Sequence, residues 1–232
     1  MTSSPVPIPT AIIAATIADQ ISEFNAGFTS QIGERLSTVF GAEQAGLTAA
    51  GTPSSAVTIG DPLADAALLD PSGASTTLFD SLGETAAVIV FYRGAWCPYC
   101  NITLKHYQAE LLPILRERGV ALIAISPQTP EGSDAAVANG SLEFAVLSDP
   151  ANALARRLGI VTEPTKDARV AHAELGFDVA DSNADATGDI PFPTVLVIDT
   201  DRTVRFVDIH VDYTVRTETR EIVAAVNRLF AE

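Results

Sequence analysis

The segment Val88-Ile89-Val90-Phe91-Tyr92-Arg93-Gly94-Ala95-Trp96-Cys97-Pro98-Tyr99-Cys100 constrains this chain more than any other. An apolar, β-branched run ends in a glycine turn and passes directly into a C-x-x-C pair with a proline inside it. The run predicts a buried strand. Proline suits a first helical turn, whose N–H groups have no helical partner, so a helix is expected from Pro98. Strand, turn and helix together bring Cys97 to a helix N-terminus, where free N–H groups and the positive end of the dipole favour a thiolate. Cys97 is therefore expected to be the more exposed thiol, with a lowered pKa. Cys100, one turn further on, lies close enough to form a disulfide with it.

These are the only cysteines in the chain. A zinc knuckle needs two further ligands, and His106, His172 and His210 are widely separated, so no metal is expected. The acidic stretch Asp178–Asp189 lacks the spaced ligands and terminal glutamate of a calcium loop. No cofactor is implied. The pair suits redox chemistry in a reducing compartment, and the cytoplasm is the expected location. Trp96, beside both thiols, is expected to shield them and offer a docking surface, and Tyr99 to pack or to orient the pair through its hydroxyl. Arg93 either stabilises a thiolate or peroxide oxygen, or pairs with a carboxylate at the surface.

With 232 residues, 47% of them hydrophobic and 19% charged, the chain can bury a full core without a disulfide framework. Fourteen Lys+Arg against 29 Asp+Glu give a net charge of −15, which repels phosphate backbones and anionic lipid. Nucleic acid is not an expected partner. The apolar runs Thr10–Ala18 and Ala86–Tyr92 fall short of the roughly 20 residues a bilayer requires, so no membrane span is expected. The opening Met1–Pro5 carries no basic residue and does not read as a signal peptide.

Ile12, Ile13, Ile17, Ile21, Phe24 and Phe28 recur with helical spacing. A second helix is expected over about Ser30–Phe40, ended by the Gly/Ala/Pro-rich segment Gly46–Pro53. The chain thus divides into an N-terminal helical extension, residues 1–55, and an α/β domain, residues 56–232. In the latter, strands are expected at Ala87–Tyr92, Val120–Ile125, Phe144–Leu147, Thr194–Ile198 and Val204–Asp208. Long helical connections make the first three parallel, and the short link Asp199–Arg202 makes the last two a hairpin. A helix over Glu218–Phe230 is expected to cover one face.

The stretch Phe91–Asn101, together with Pro191-Phe192-Pro193-Thr194-Val195-Leu196-Val197-Ile198-Asp199, resembles the peroxiredoxin-like (AhpC/TSA, redoxin) family, from about Val57 to the end. The resemblance implies a thioredoxin-like fold, a central mixed sheet flanked by helices. It implies a thiol peroxidase that reduces hydroperoxides through a dithiol–disulfide cycle, is recharged by a thioredoxin-type donor, and commonly forms homodimers. Typical members carry Thr-x-x-Cys. Set without gaps, the attacking cysteine falls on Cys100 and the threonine on Cys97. Pro193 stands where the family has a peroxide-polarising arginine, and Pro193-Thr194 resembles the cis-Pro-Thr of thioredoxins. A cis turn would leave Phe192 free to bind an extended substrate, making Phe192, Pro193 and Thr194 candidate substrate contacts. His210-Val211-Asp212-Tyr213-Thr214-Val215-Arg216 also resembles an element of these redoxins, without a role the residues disclose.

Three functions follow. In a peroxidase, either cysteine attacks the hydroperoxide and the other condenses with the sulfenic acid. In a thiol–disulfide oxidoreductase, Cys97 attacks a disulfide and Cys100 resolves the mixed disulfide. In a redox sensor or binding module, the pair oxidises once without turnover.

Overall fold

The computed structural model describes residues 15–230. At its centre β3 (Ala87–Phe91) is buried along its whole length, and Val88 and Val90 face one core while Ala87, Ile89 and Phe91 face another. This is why the strand reads as a continuous apolar run with no alternation. It pairs in parallel with β4 (Ala121–Ser126), which pairs in parallel with β5 (Ala145–Ser148). On its other side lies antiparallel β8 (Thr194–Ile198), followed by antiparallel β9 (Val204–Ile209). The expected strands, their parallel order and the terminal hairpin are all present. Two short strands, β1 (Ala67–Leu69) and β2 (Ser75–Thr77), extend the edge beyond β5. Three residues each are too few to leave a periodic signal.

The β3–β4 crossover is α3 (Pro98–His106), a π-helical turn at Tyr107–Leu111 and α4 (Leu112–Glu117). The second crossover is α5 (Pro130–Gly140). With α9 (Thr219–Leu229), these helices cover the Val88 and Val90 face. The opposite face receives α2 (Leu78–Leu82) and α6 (Ala153–Arg157). Between Val161 and Pro191 the chain forms a separate two-stranded ribbon, β6 (Val161–Thr162) with β7 (Ile190–Pro191), and two helices, α7 (Lys166–Glu174) and α8 (Val179–Ser182).

Helix α1 runs from Ile17 to Ala50, through Gly46, and stops at Gly51, inside the expected Gly46–Pro53 break; the Gly51 N–H bonds Leu47 O at 3.0 Å. The second half thus runs ten residues beyond Phe40, and the division between the two halves falls at Gly33, not before Ser30, with φ 77° and ψ 167°, a conformation almost confined to glycine. Thr16 and Asp19 cap the start reciprocally, each accepting the other's backbone N–H at 3.0 Å. Ile17 and Ile21 enter the core beside Val88, Tyr107 and Ile222, each such side chain contributing about 1.5–3 kcal/mol on burial. Ile12 and Ile13, counted in the same expected helix, lie outside the described residues. Among the described residues no helix is long and apolar enough to cross a membrane.

Candidate active site

Gly94 makes the turn between β3 and α3 at φ 151°, and a Cβ there would meet Trp96 Nε1 at 2.4 Å and Gln128 Cδ at 2.9 Å. The turn is tight because Gln128 Oε1 accepts the Ala95 N–H at 2.6 Å, and Asn101 Nδ2 donates to Ala95 O at 2.8 Å. Cys97 becomes the N-cap of α3 and Pro98 its first residue, as expected. The thiols are free.

Their environments differ from the expected ones. Both cysteines are buried, each 1% exposed, so Cys97 is not the more exposed thiol. Its Sγ makes no capping bond, and Cys100, one turn on, is its neighbouring ionisable group. Burial pushes the Cys97 thiol well up, and the hydrogen bond and negative charge of Cys100 add to this, against weaker opposition from Arg93 and Arg216. Burial would push Cys100 up as well. The hydrogen bond from Cys97, the Arg216 charge, the Arg93 backbone N–H and the Arg93 charge overcome it and hold Cys100 well below the ordinary thiol range. The two directions favour the negative charge on the second cysteine, which the Arg216 hydrogen bond meets.

Arg216 Nη2 donates to Cys100 Sγ at 3.3 Å from the segment between β9 and α9, and its Nη1 donates to the Tyr213 and Val215 carbonyls. No chemical role for Arg216 was legible beforehand, because it stands far from the cysteines in sequence. Arg93 is 4% exposed and is no surface residue. Its guanidinium lies 3.9 Å from the Tyr213 ring centroid and 4.9 Å from that of Trp96. Tyr99 does not orient the cysteines through its hydroxyl, which donates to Asn25 Oδ1 on α1 at 2.8 Å.

The loop before β8 also departs from expectation. No peptide bond among the described residues is cis, so Phe192–Pro193 is trans. The Phe192 N–H donates to Ile160 O at 2.7 Å and its carbonyl accepts from Thr194 Oγ1 at 2.9 Å, which leaves no free backbone for strand addition. Pro193 and Thr194 do reach the site: with Cys100, Arg216 and His210 they line an enclosed space of about 10 Å³, the size of one water.

Cys97 opens on a different space, a cleft of about 560 Å³ between α1 and the α/β domain. Phe24, Phe28, Phe40, Trp96 and Phe177 supply aromatic walls, and Arg93 lies with Cys97 among the lining residues. Trp96 stacks on Phe177 at 5.4 Å and Phe24 meets Tyr99 edge-on at 5.5 Å. Three buried polar atoms on residues of this cleft, Gln44 Oε1, Trp96 Nε1 and His172 Nδ1, have no hydrogen-bond partner among the described residues. Burial and the Arg93 charge push His172 down to about 4, so it is neutral at physiological pH.

Residues 59–207 match the AhpC/TSA family. No curated protein matches the chain. Among solved structures, peroxidoxin BcpB from Mycobacterium tuberculosis is 21% identical, with 75% of this chain and 98% of that one covered and a TM-score of 0.57. Reduced Prx3 of Vibrio vulnificus in complex with hydrogen peroxide is 17% identical, with coverage of 73% and 99% and a TM-score of 0.59. AhpC of Mycobacterium tuberculosis is 18% identical, with coverage of 76% and 99% and a TM-score of 0.56. The likeness to these structures is one of fold.

Proposed function

The chain belongs to the AhpC/TSA family of thiol peroxidases, and we propose that Cys100 is its attacking thiol and Cys97 its resolving thiol. The observation that carries this assignment is the Arg216 Nη2 donation to Cys100 Sγ at 3.3 Å, with no arginine hydrogen bond to Cys97 among the described residues; the opposite directions of the two thiol pKa values support it. The Cys100 thiolate attacks one peroxide oxygen and breaks the O–O bond. Arg216 and Arg93 stabilise the charge developing on the departing oxygen, which leaves as water or alcohol once protonated. The sulfenic acid on Cys100 then condenses with Cys97, whose sulfur displaces hydroxide; the Cys97 proton completes a water and the disulfide remains. A thiol donor restores the dithiol, the thioredoxin-type protein implied by the family being one such class. Arg216 performs the work that the family resemblance places at Pro193.

A thiol–disulfide oxidoreductase starting from Cys97 would need that sulfur to ionise first, against its burial and the adjacent thiolate. Turnover separates the two readings. With dithiothreitol as reductant, the protein is expected to consume hydrogen peroxide catalytically and not to accelerate insulin reduction above the rate with dithiothreitol alone. Rapid insulin reduction with no peroxide consumption would replace the proposal with the exchange mechanism.

A further inference from the structure

The two thiols face spaces of very different size, and the catalytic cycle uses them at different steps. Attack on hydrogen peroxide is carried by Cys100, whose own space of about 10 Å³ offers no room for a large body. The cleft of about 560 Å³ is within the range of small-molecule sites and has Cys97, not Cys100, in its lining. Cys97 becomes an electrophile only after oxidation, when its sulfur belongs to the disulfide.

We propose, on the basis of the peroxidase reading above, that this cleft binds a small, carboxylate-bearing thiol that reduces the disulfide by attacking Cys97 Sγ. The incoming thiolate forms a bond to Cys97 and breaks the Cys97–Cys100 bond, and the electron pair leaves on Cys100 as its thiolate. Cys100, beside Arg216, is the better leaving group of the two. A second molecule of the same thiol attacks the mixed disulfide, releasing the symmetrical small disulfide and returning Cys97 as a thiol.

The carboxylate follows from charge. Arg93 forms no salt bridge with a carboxylate among the described residues and reaches the cleft between aromatic rings. Buried Glu43 spends its carboxylate on Thr165 and Tyr213, so the Arg93 guanidinium has no direct ion-pair partner among the described residues and an anionic group in the cleft supplies one. Trp96 Nε1 is a further unpartnered donor, and His172 Nδ1, on a residue only 5% exposed, has no partner among the described residues either. A protein thiol presented on a convex surface meets a sulfur that is 1% exposed and flanked by α1, whereas a small thiol enters between the rings.

The test uses the full chain oxidised with one equivalent of hydrogen peroxide. Failure to form the disulfide at that stage counts against the peroxidase reading, and the second stage then proceeds on protein oxidised with diamide. Reduction is followed by chemical quench and mass spectrometry with 3-mercaptopropionate and with its neutral counterpart 3-mercaptopropionamide, at equal thiolate concentration. The carboxylate is expected to react about tenfold faster, the trapped adduct to lie on Cys97, and Arg93→Gln to bring the ratio close to one. Equal rates in the unmodified protein, an adduct on Cys100, or far faster reduction by thioredoxin at matched concentration would overturn the proposal. The ratio does not depend on how much the Arg93 variant slows the peroxide step.

Discussion

At the residue scale, the two thiols differ because Arg216 hydrogen-bonds Cys100 and not Cys97, the residue at the helix terminus. The terminus effect amounts to about 0.3–1 kcal/mol in exposed sites and acts on the residue it meets first. A guanidinium at 3.3 Å in a buried site acts more strongly, and Arg216 meets Cys100. Two predictions follow from this ordering. The ultraviolet thiolate absorbance of Cys100 in Cys97→Ser is expected to be nearly independent of pH between 6 and 8, where an ordinary thiol of pKa about 8.5 gains close to tenfold in thiolate per unit. Arg216→Gln is expected to restore that dependence and to slow oxidation by hydrogen peroxide about tenfold or more. A flat profile in Arg216→Gln would assign the thiolate to another cause. His172 gives a third expectation. Its pKa falls to about 4 in the folded protein from about 6.5 in the unfolded chain, so the unfolded state binds more protons between these values. Stability should be complete above about pH 6.5 and decline towards pH 4, and His172→Phe should flatten this part of a urea-midpoint series. The cysteines, Pro98 and the turn at Gly94 were legible because their meaning is local. Arg216 was not, since only the hairpin β8–β9 returns it to the first strand.

At the element scale, α1 is fastened on both sides of the segment that carries Arg216. Glu218 accepts the Ile17 and Ala18 N–H groups at 3.2 and 2.9 Å, and Gln44 donates to Asp212 Oδ1 at 2.6 Å. Between these, buried Glu43 accepts from the Thr165 N–H at 2.9 Å and from Tyr213 OH at 3.2 Å, and the Tyr213 ring lies against Arg93. Glu43→Leu is expected to lower stability by about 1–3 kcal/mol through the donors it strands. It should also slow peroxide oxidation without abolishing it, since Cys100 and Arg216 remain; a stability loss with an unchanged rate would sever Glu43 from the site. Gly33→Ala is expected to cost about 1–3 kcal/mol, because ψ 167° at φ 77° suits no other residue. Denaturant unfolding checks both. The helical periodicity of α1 and its end within Gly46–Pro53 were legible, whereas the division between its halves lies at Gly33 and not before Ser30, because Gly33 sits inside a strongly helical pattern. The trans Phe192–Pro193 bond was misread for a related reason: the dipeptide resembles a thioredoxin turn, but the N–H of Phe192 is already committed to Ile160.

At the scale of the whole molecule, the extension and the α/β domain share one core, since Ile17 and Ile21 pack with Val88, Tyr107 and Ile222. Unfolding should be a single transition, with Trp96 fluorescence and far-ultraviolet circular dichroism coincident; an early separate loss of helix would show that α1 folds apart from the rest. The strand order was legible from apolar runs and connection lengths, whereas the covering of Cys97 by a distant helix lies in tertiary packing that no local pattern encodes. That packing gives the peroxide and the reductant different approaches to one pair of sulfurs. All of it depends on Cys100 starting the cycle. The most direct measurement is stopped-flow Trp96 fluorescence on mixing the reduced protein, Cys97→Ser and Cys100→Ser with hydrogen peroxide, followed by intact mass to read the added oxygen. Cys97→Ser should oxidise at close to the unmodified rate and gain oxygen on Cys100, while Cys100→Ser stays inert. Rapid oxidation of Cys100→Ser, with the oxygen on Cys97, would contradict the account.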